Sequence, residues 1–143
     1  MTDFEGYQIT CAKDVPLDWT CGPLAEGLSC YEKSEFFLAH EAWESVWLTL
    51  EEPEKSFLQA LIQVAAAFHH LQGGKPAGAI SLLRRALRRL ELYPASFGGI
   101  AVTQLCAEVC EWLRVLESGL PFIAPNPPRI VPIDLPSEQV SGS

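Results

Sequence analysis

Apolar residues recur along this chain at intervals of three and four, interrupted at glycines and prolines, and that pattern predicts about five helices. Leu24, Ala25, Leu28 and Tyr31 outline a short first helix behind Pro23, a residue suited to a first helical position. Gly27 either weakens that helix or permits close packing. After a Lys33-Ser34 turn, Phe36, Ala39, Trp43, Val46, Trp47 and Leu50 share one arc of a second helix, from Glu35 to about Leu50, at ~100° per residue. A third helix is expected from Pro53 to about Gln72, a fourth from Pro76 to Tyr93, and a fifth from about Ala101 to Glu117. Ile80, Leu83, Leu87 and Leu90 form the inward stripe of the fourth, with Arg84, Arg85, Arg88 and Arg89 opposite. Val102, Leu105, Val109, Trp112, Leu113 and Leu116 serve the fifth, and Gly119 ends it.

Residues 1–22 lack periodicity and read as an irregular arm that Trp19 pins to the core. Residues 23–118 read as the bundle. Residues 119–143 hold six of the eleven prolines and are expected to run extended along the surface and then to be disordered. No β pattern of any length is visible, so the fold class is all-α, a single-domain bundle of about five helices. The third helix carries no formal charge between Lys55 and Lys75. Because Gln59, Gln63, His69, His70 and Gln72 interrupt it, a helix buried at the centre of a bundle is the better reading than a membrane span.

Composition narrows the partners. A net charge of −8 argues against nucleic acid, which needs a basic surface to displace counterions. The five cysteines contain no CxxC pair, which fits neither a full disulfide framework nor a zinc ribbon. With no apolar leader in the opening residues, the expected compartment is the cytoplasm, with no membrane association. A homo-oligomer is compatible with the sequence.

Candidate chemistry centres on His40-Glu41-Ala42-Trp43-Glu44-Ser45-Val46-Trp47. His40 and Glu44 are four apart, share a helix face beside the apolar arc, and are expected to be at least half buried. Burying that pair costs several kcal/mol unless other groups reach it. On the third helix, Gln59, Gln63 and His70 form a strip with the small Ala66 and Ala67 that can face the pair. The expected site is thus a polar cluster of His40, Glu41, Glu44, Gln59, Gln63 and His70, with Trp43, Trp47 and Phe68 as apolar walls.

The run Phe36-Phe37-Leu38-Ala39-His40-Glu41-Ala42-Trp43-Glu44-x-x-Trp47 is followed by Phe57-Leu58-Gln59-x-Leu61-Ile62-Gln63-x-Ala65, His69-His70, Gly78-Ala79 and Leu90-Glu91-x-Tyr93-Pro94. In this order and spacing, from about Leu24 to Leu116, the chain resembles the DUF309 family of small helical proteins. The resemblance implies an all-helical bundle and a domain of unknown function. Ala60 stands where that family usually carries glycine, and Lys75 where asparagine often follows the glycine.

Three readings of the cluster follow. It can be a satisfied buried network that fixes helix register, or the floor of a small-ligand pocket. As the alternative, His40, Glu44 and His70, with His69 or Glu41, would hold a divalent metal such as zinc for a hydrolase. His40-Glu41-x-x-Glu44 is only half of an HExxH motif, so no cofactor is the primary expectation. Catalytic residues are left unassigned, Glu44 or Glu41 being the general base if the site is an enzyme's. The arginine run reads as a solvated face, and Cys106 and Cys110 as small core residues. Gly74, Ala79, Leu83 and Ala86 are spaced in a tetratricopeptide-like way, but the weak echo at Ala39 and Trp43 lies about 40 residues away instead of ~34. The primary reading is a non-catalytic module that binds a small ligand or a protein.

Overall fold

The computed structural model describes residues 17–119 and 126–133. Five helices follow in order: α1 Gly22–Glu32, α2 Phe36–Trp47, α3 Glu54–Gln72, α4 Pro76–Leu90 and α5 Val102–Ser118. Proline opens α1 and α4, where the missing N–H would have no helical partner. Ser34 turns the chain between α1 and α2 at a φ of 64°, and Gly119 ends α5 in the left-handed conformation that glycine adopts without a Cβ penalty.

Helix α3 lies at the centre. Leu58, Leu61 and Val64 are inaccessible to solvent, and α3 packs against both α2 and α4, which hold α1 and α5 in turn. This is the bundle expected from the periodicity, with two helices ending early. At α2 the N–H groups of Thr49 and Leu50 reach back three residues, to Val46 and Trp47; at α4 those of Leu92 and Tyr93 reach Arg89 and Leu90. Each last turn thus tightens out of α geometry. Among the described residues, no helix is long and apolar enough to cross a membrane.

The segment after α4 holds the β structure that periodicity could not show. β1 (Ser96–Phe97) pairs antiparallel with β2 (Ile100–Ala101) around Gly98 and Gly99, with φ of 57° and 80°. Two central residues with positive φ make the tight turn whose twist suits a hairpin. A Cβ on Gly98 would also lie 2.7 Å from Leu17 Cδ1. The Trp19 indole N–H donates to the Gly98 carbonyl at 2.8 Å, so this end of the arm is pinned as expected.

Part of the proline-rich tail is structural. Residues 126–133 are extended, but Pro128 and Ile130 are buried, so the segment is docked into the bundle instead of lying on its surface. Trp112 donates to the Asn126 carbonyl, Tyr31 to the Pro128 carbonyl, and the Ala101 and Ile133 N–H groups bond to Val131 and Gly99. Glu108 accepts from the Arg129 backbone and guanidinium. The expectation of disorder falls on residues 134–143, outside the described residues, as does most of the N-terminal arm. Cys30, Cys106 and Cys110 are free thiols, whereas Cys21 is disulfide-bonded.

Candidate functional site

The His-Glu-Trp block of α2 is divided by its helix. Trp43 faces inward and is fully buried, stacked on Tyr31 and edge-on to Trp19, with its indole N–H donating to the Leu24 carbonyl at 3.2 Å. It is a packing residue of the α1–α2 interface. Gly27 makes that interface possible: a Cβ there would sit 2.5 Å from Trp43 Cδ1, so only glycine lets α1 approach the ring.

His40 is more than half buried, as its position predicts, and Glu44 stands at the limit of that expectation. Glu44 is 50 % exposed and His40 27 %, with Nε2 to Oε2 at 4.0 Å, the outer limit of an ion pair. The arc beside the apolar stripe falls outside the area that α3 covers, so the carboxylate keeps its water. Glu41 is exposed as well. Phe37 stacks on the His40 ring and also meets His69, so an aromatic side chain joins α2 to the end of α3 at the surface. His40 Nδ1 is buried with no hydrogen-bond partner.

The polar strip of α3 turns away from that pair. His70 Nδ1 bonds to its own helix at the Ala66 carbonyl, 3.0 Å away, and its ring packs where a Cβ on Gly78 would lie 2.6 Å from Cδ2. Gly78 therefore admits the imidazole between α3 and α4. Gln63 is 8 % exposed and lines a cleft with Arg85, Arg88, Arg89 and Leu92 of the α4 side. Gln59 is half-buried without a hydrogen bond to His40 or Glu44 among the described residues. The predicted cluster is thus corrected into three places: His40 and Glu44 with Phe37 and His69, His70 against α4, and Gln63 beneath the arginines. The physical reason is angular. Gln59, Gln63 and His70 stay within about 40° of one another on a 3.6-residue helix, and the face they share turns toward α4 instead of α2.

The predicted walls separate as well. Trp43 is core, Phe68 packs against Phe36 and Trp112, and Trp47 lies under the Lys55 ammonium, 4.4 Å from its ring centre. None of the three lines the clefts formed by the 126–133 segment with Tyr31, by His69 and His70, by Gln63 with the arginines, or by Glu108 with Trp112. Among the described residues, no three His, Cys, Asp or Glu side chains are grouped closely enough to hold a metal ion, so His40, Glu44 and His70 do not assemble the alternative ligand set.

Burial raises the Tyr31 hydroxyl far above the ordinary tyrosine range, with Glu108 adding to the effect. For Glu108 itself burial acts upward but is outweighed by its bonds from Arg129 and Gln104, so its carboxyl lies below the usual range. Both groups hold the 126–133 segment, which forms a cleft of about 340 Å³ with Tyr31, Glu32 and Ser34. That cleft was not legible in the sequence, since its far wall comes from the tail.

A family model described as a domain of unknown function, DUF309, matches residues 24–82, spanning α1 to the middle of α4. Residues 24–82 carry a DUF309 domain. The match covers the His-Glu-Trp block, the Leu-Ile-Gln block and the His69-His70 pair, and stops short of the hairpin and α5. An uncharacterized protein of Aquifex aeolicus (strain VF5) is 31% identical over 108 residues, which is 75% of this chain and 31% of that protein. The chain thus aligns with under a third of that relative's length.

Proposed function

We propose that this DUF309 protein is a non-catalytic binding module that presents the outer strip of α2 to a basic, amphipathic segment of a partner protein. The observation that carries the reading is the composition of that strip. Phe37, Leu38 and Leu48 are 46 %, 50 % and 69 % exposed, and Glu41 and Glu44 stand among them within ~120° of the helix. Single exposed apolar residues are ordinary, but three on one short helix, rimmed by carboxylates, have the form of an anchor patch. The carboxylates select a cationic partner and the apolar side chains supply the area to bury. The extra length of the Aquifex aeolicus relative favours a domain that acts beside other protein. Three free thiols among the four described cysteines favour the cytoplasm, with the Cys21 disulfide standing against it.

The test is site-specific photo-crosslinking in the source cell, with a benzophenone amino acid at position 38 or 48 and a control at the exposed Ser81 of α4. One protein adduct at 38 and 48, absent at 81 and lost on Glu41→Lys/Glu44→Lys, is expected. Equal adducts at all three positions, an adduct only with a second copy of the chain, or indifference to charge reversal would overturn the reading.

A further inference from the structure

Gln63 is the one buried polar side chain among the described core residues, and its Oε1 is sealed from solvent with no hydrogen-bond partner. A buried amide oxygen left without a donor is destabilising, and no network among the described residues compensates for it. What it lines instead is an open cleft of about 350 Å³ whose other residues are Arg85, Arg88, Arg89 and Leu92. Those positions, at i, i+3, i+4 and i+7, fall on one face.

The arginines carry a second anomaly. This acidic chain has ten Lys and Arg residues in all, and four lie between positions 84 and 89. Arg84 is paired with Glu117, as Arg114 is with Glu111 and Arg129 with Glu108. Arg85, Arg88 and Arg89 make no ion pair or hydrogen bond among the described residues; Arg89 reaches the Glu52 carboxylate and the Tyr93 hydroxyl only through longer-range electrostatics. The last turn of a helix favours cations, which accounts for Arg88 and Arg89 as charges. It does not account for three guanidinium groups converging on a cleft with an unpartnered amide in its wall.

We propose that the cleft between α3 and α4 binds a phosphate-bearing ligand, with Arg85, Arg88 and Arg89 gripping the phosphoryl oxygens, Gln63 Nε2 donating to it from the cleft wall and Leu92 contacting its organic part. Guanidinium groups match phosphate oxygens by paired, charge-assisted hydrogen bonds, and the amide adds the N–H donors of its Nε2, its oxygen being an acceptor like those of the phosphate. A soluble phosphoester and a lipid headgroup share this chemistry. The site is independent of the α2 strip and needs none of its residues.

The experiment titrates the full chain with pyrophosphate by calorimetry, and in parallel with phosphatidylcholine vesicles with and without phosphatidic acid by co-sedimentation. Saturable pyrophosphate binding that weakens about tenfold with Arg85→Ser or Arg88→Ser, but not with Arg114→Ser, is expected for a soluble ligand. Binding to phosphatidic acid vesicles alone, with the same variant pattern, assigns the phosphate to a headgroup. Gln63→Leu should weaken binding in either arm while leaving the melting temperature unchanged or raised. Gln63→Glu supplies an internal carboxylate and should abolish binding in a chain that still melts cooperatively. The proposal is overturned if neither probe binds, if Arg114→Ser weakens binding as much as Arg88→Ser, or if both Gln63 variants bind as the parent does.

Discussion

The Trp43 indole N–H donates to the Leu24 carbonyl across the α1–α2 interface, and the ring fills the space that the missing Gly27 side chain leaves. One glycine and one tryptophan, sixteen positions apart, thereby fix how the first two helices meet. Both residues belong to the segment that matches the DUF309 model, which gives the tryptophan of the motif a packing role.

That relationship reverses an ordinary expectation. Replacing a helix-interior glycine by alanine usually stabilises by up to about 1 kcal/mol. Gly27→Ala should destabilise here by roughly 1–3 kcal/mol through overpacking against the ring. Urea denaturation checks the sign: a midpoint at or above that of the parent would show that the helices can move apart at little cost.

The docked tail predicts a pH response at each end of the range. The Tyr31 hydroxyl donates to the Pro128 carbonyl at 2.6 Å, and burial holds its folded pKa above the unfolded value of about 10. Its contribution is present below that pH and is lost as pH rises through the folded value, because only the unfolded chain releases the proton early. Glu108 works in the opposite sense. Its folded pKa is depressed, so its contribution is present above about 4.3 and lost as pH falls through the folded value. Tyr31→Phe should flatten the alkaline limb of stability, followed by denaturant midpoints from about pH 9 to 11, and leave the acid limb alone. A Tyr31→Phe profile identical to the parent's would remove the hydroxyl from the account.

Gln63 gives a prediction that does not depend on any ligand. Its orphaned Oε1 means that Gln63→Leu removes a desolvation penalty while keeping the volume of the side chain roughly constant. Stability should be unchanged or rise by about 1–2 kcal/mol. A loss above about 2 kcal/mol would mean that the amide is a structural partner of some other group.

Much of the fold was legible in the chain because five helices advertise themselves by apolar spacing and by glycine and proline at their ends. The hairpin escaped, since two-residue strands have no period and only Gly98-Gly99 marked the turn. Docking of the tail escaped because Pro128 and Ile130 sit in a segment whose proline content resembles that of disordered chain. The site was less legible. Spacing correctly brought His40 and Glu44 to one face, but it could not say which neighbour each face of α3 would meet. Gln63 and His70 turned to α4, one beneath the arginines and the other against Gly78. The arginine run, read from sequence as a solvated face, gained a cleft only once Gln63 was seen in its wall.

The division of the His-Glu-Trp block into a buried tryptophan and a solvent-facing acid is the claim on which the α2 surface rests, and the unfolding free energy of Glu44→Ala tests it most directly. A surface carboxylate at the edge of ion-pair distance from His40 predicts a loss of no more than about 1 kcal/mol. A loss of about 3–5 kcal/mol, the cost of breaking a buried pair, would place Glu44 inside the bundle and contradict the account.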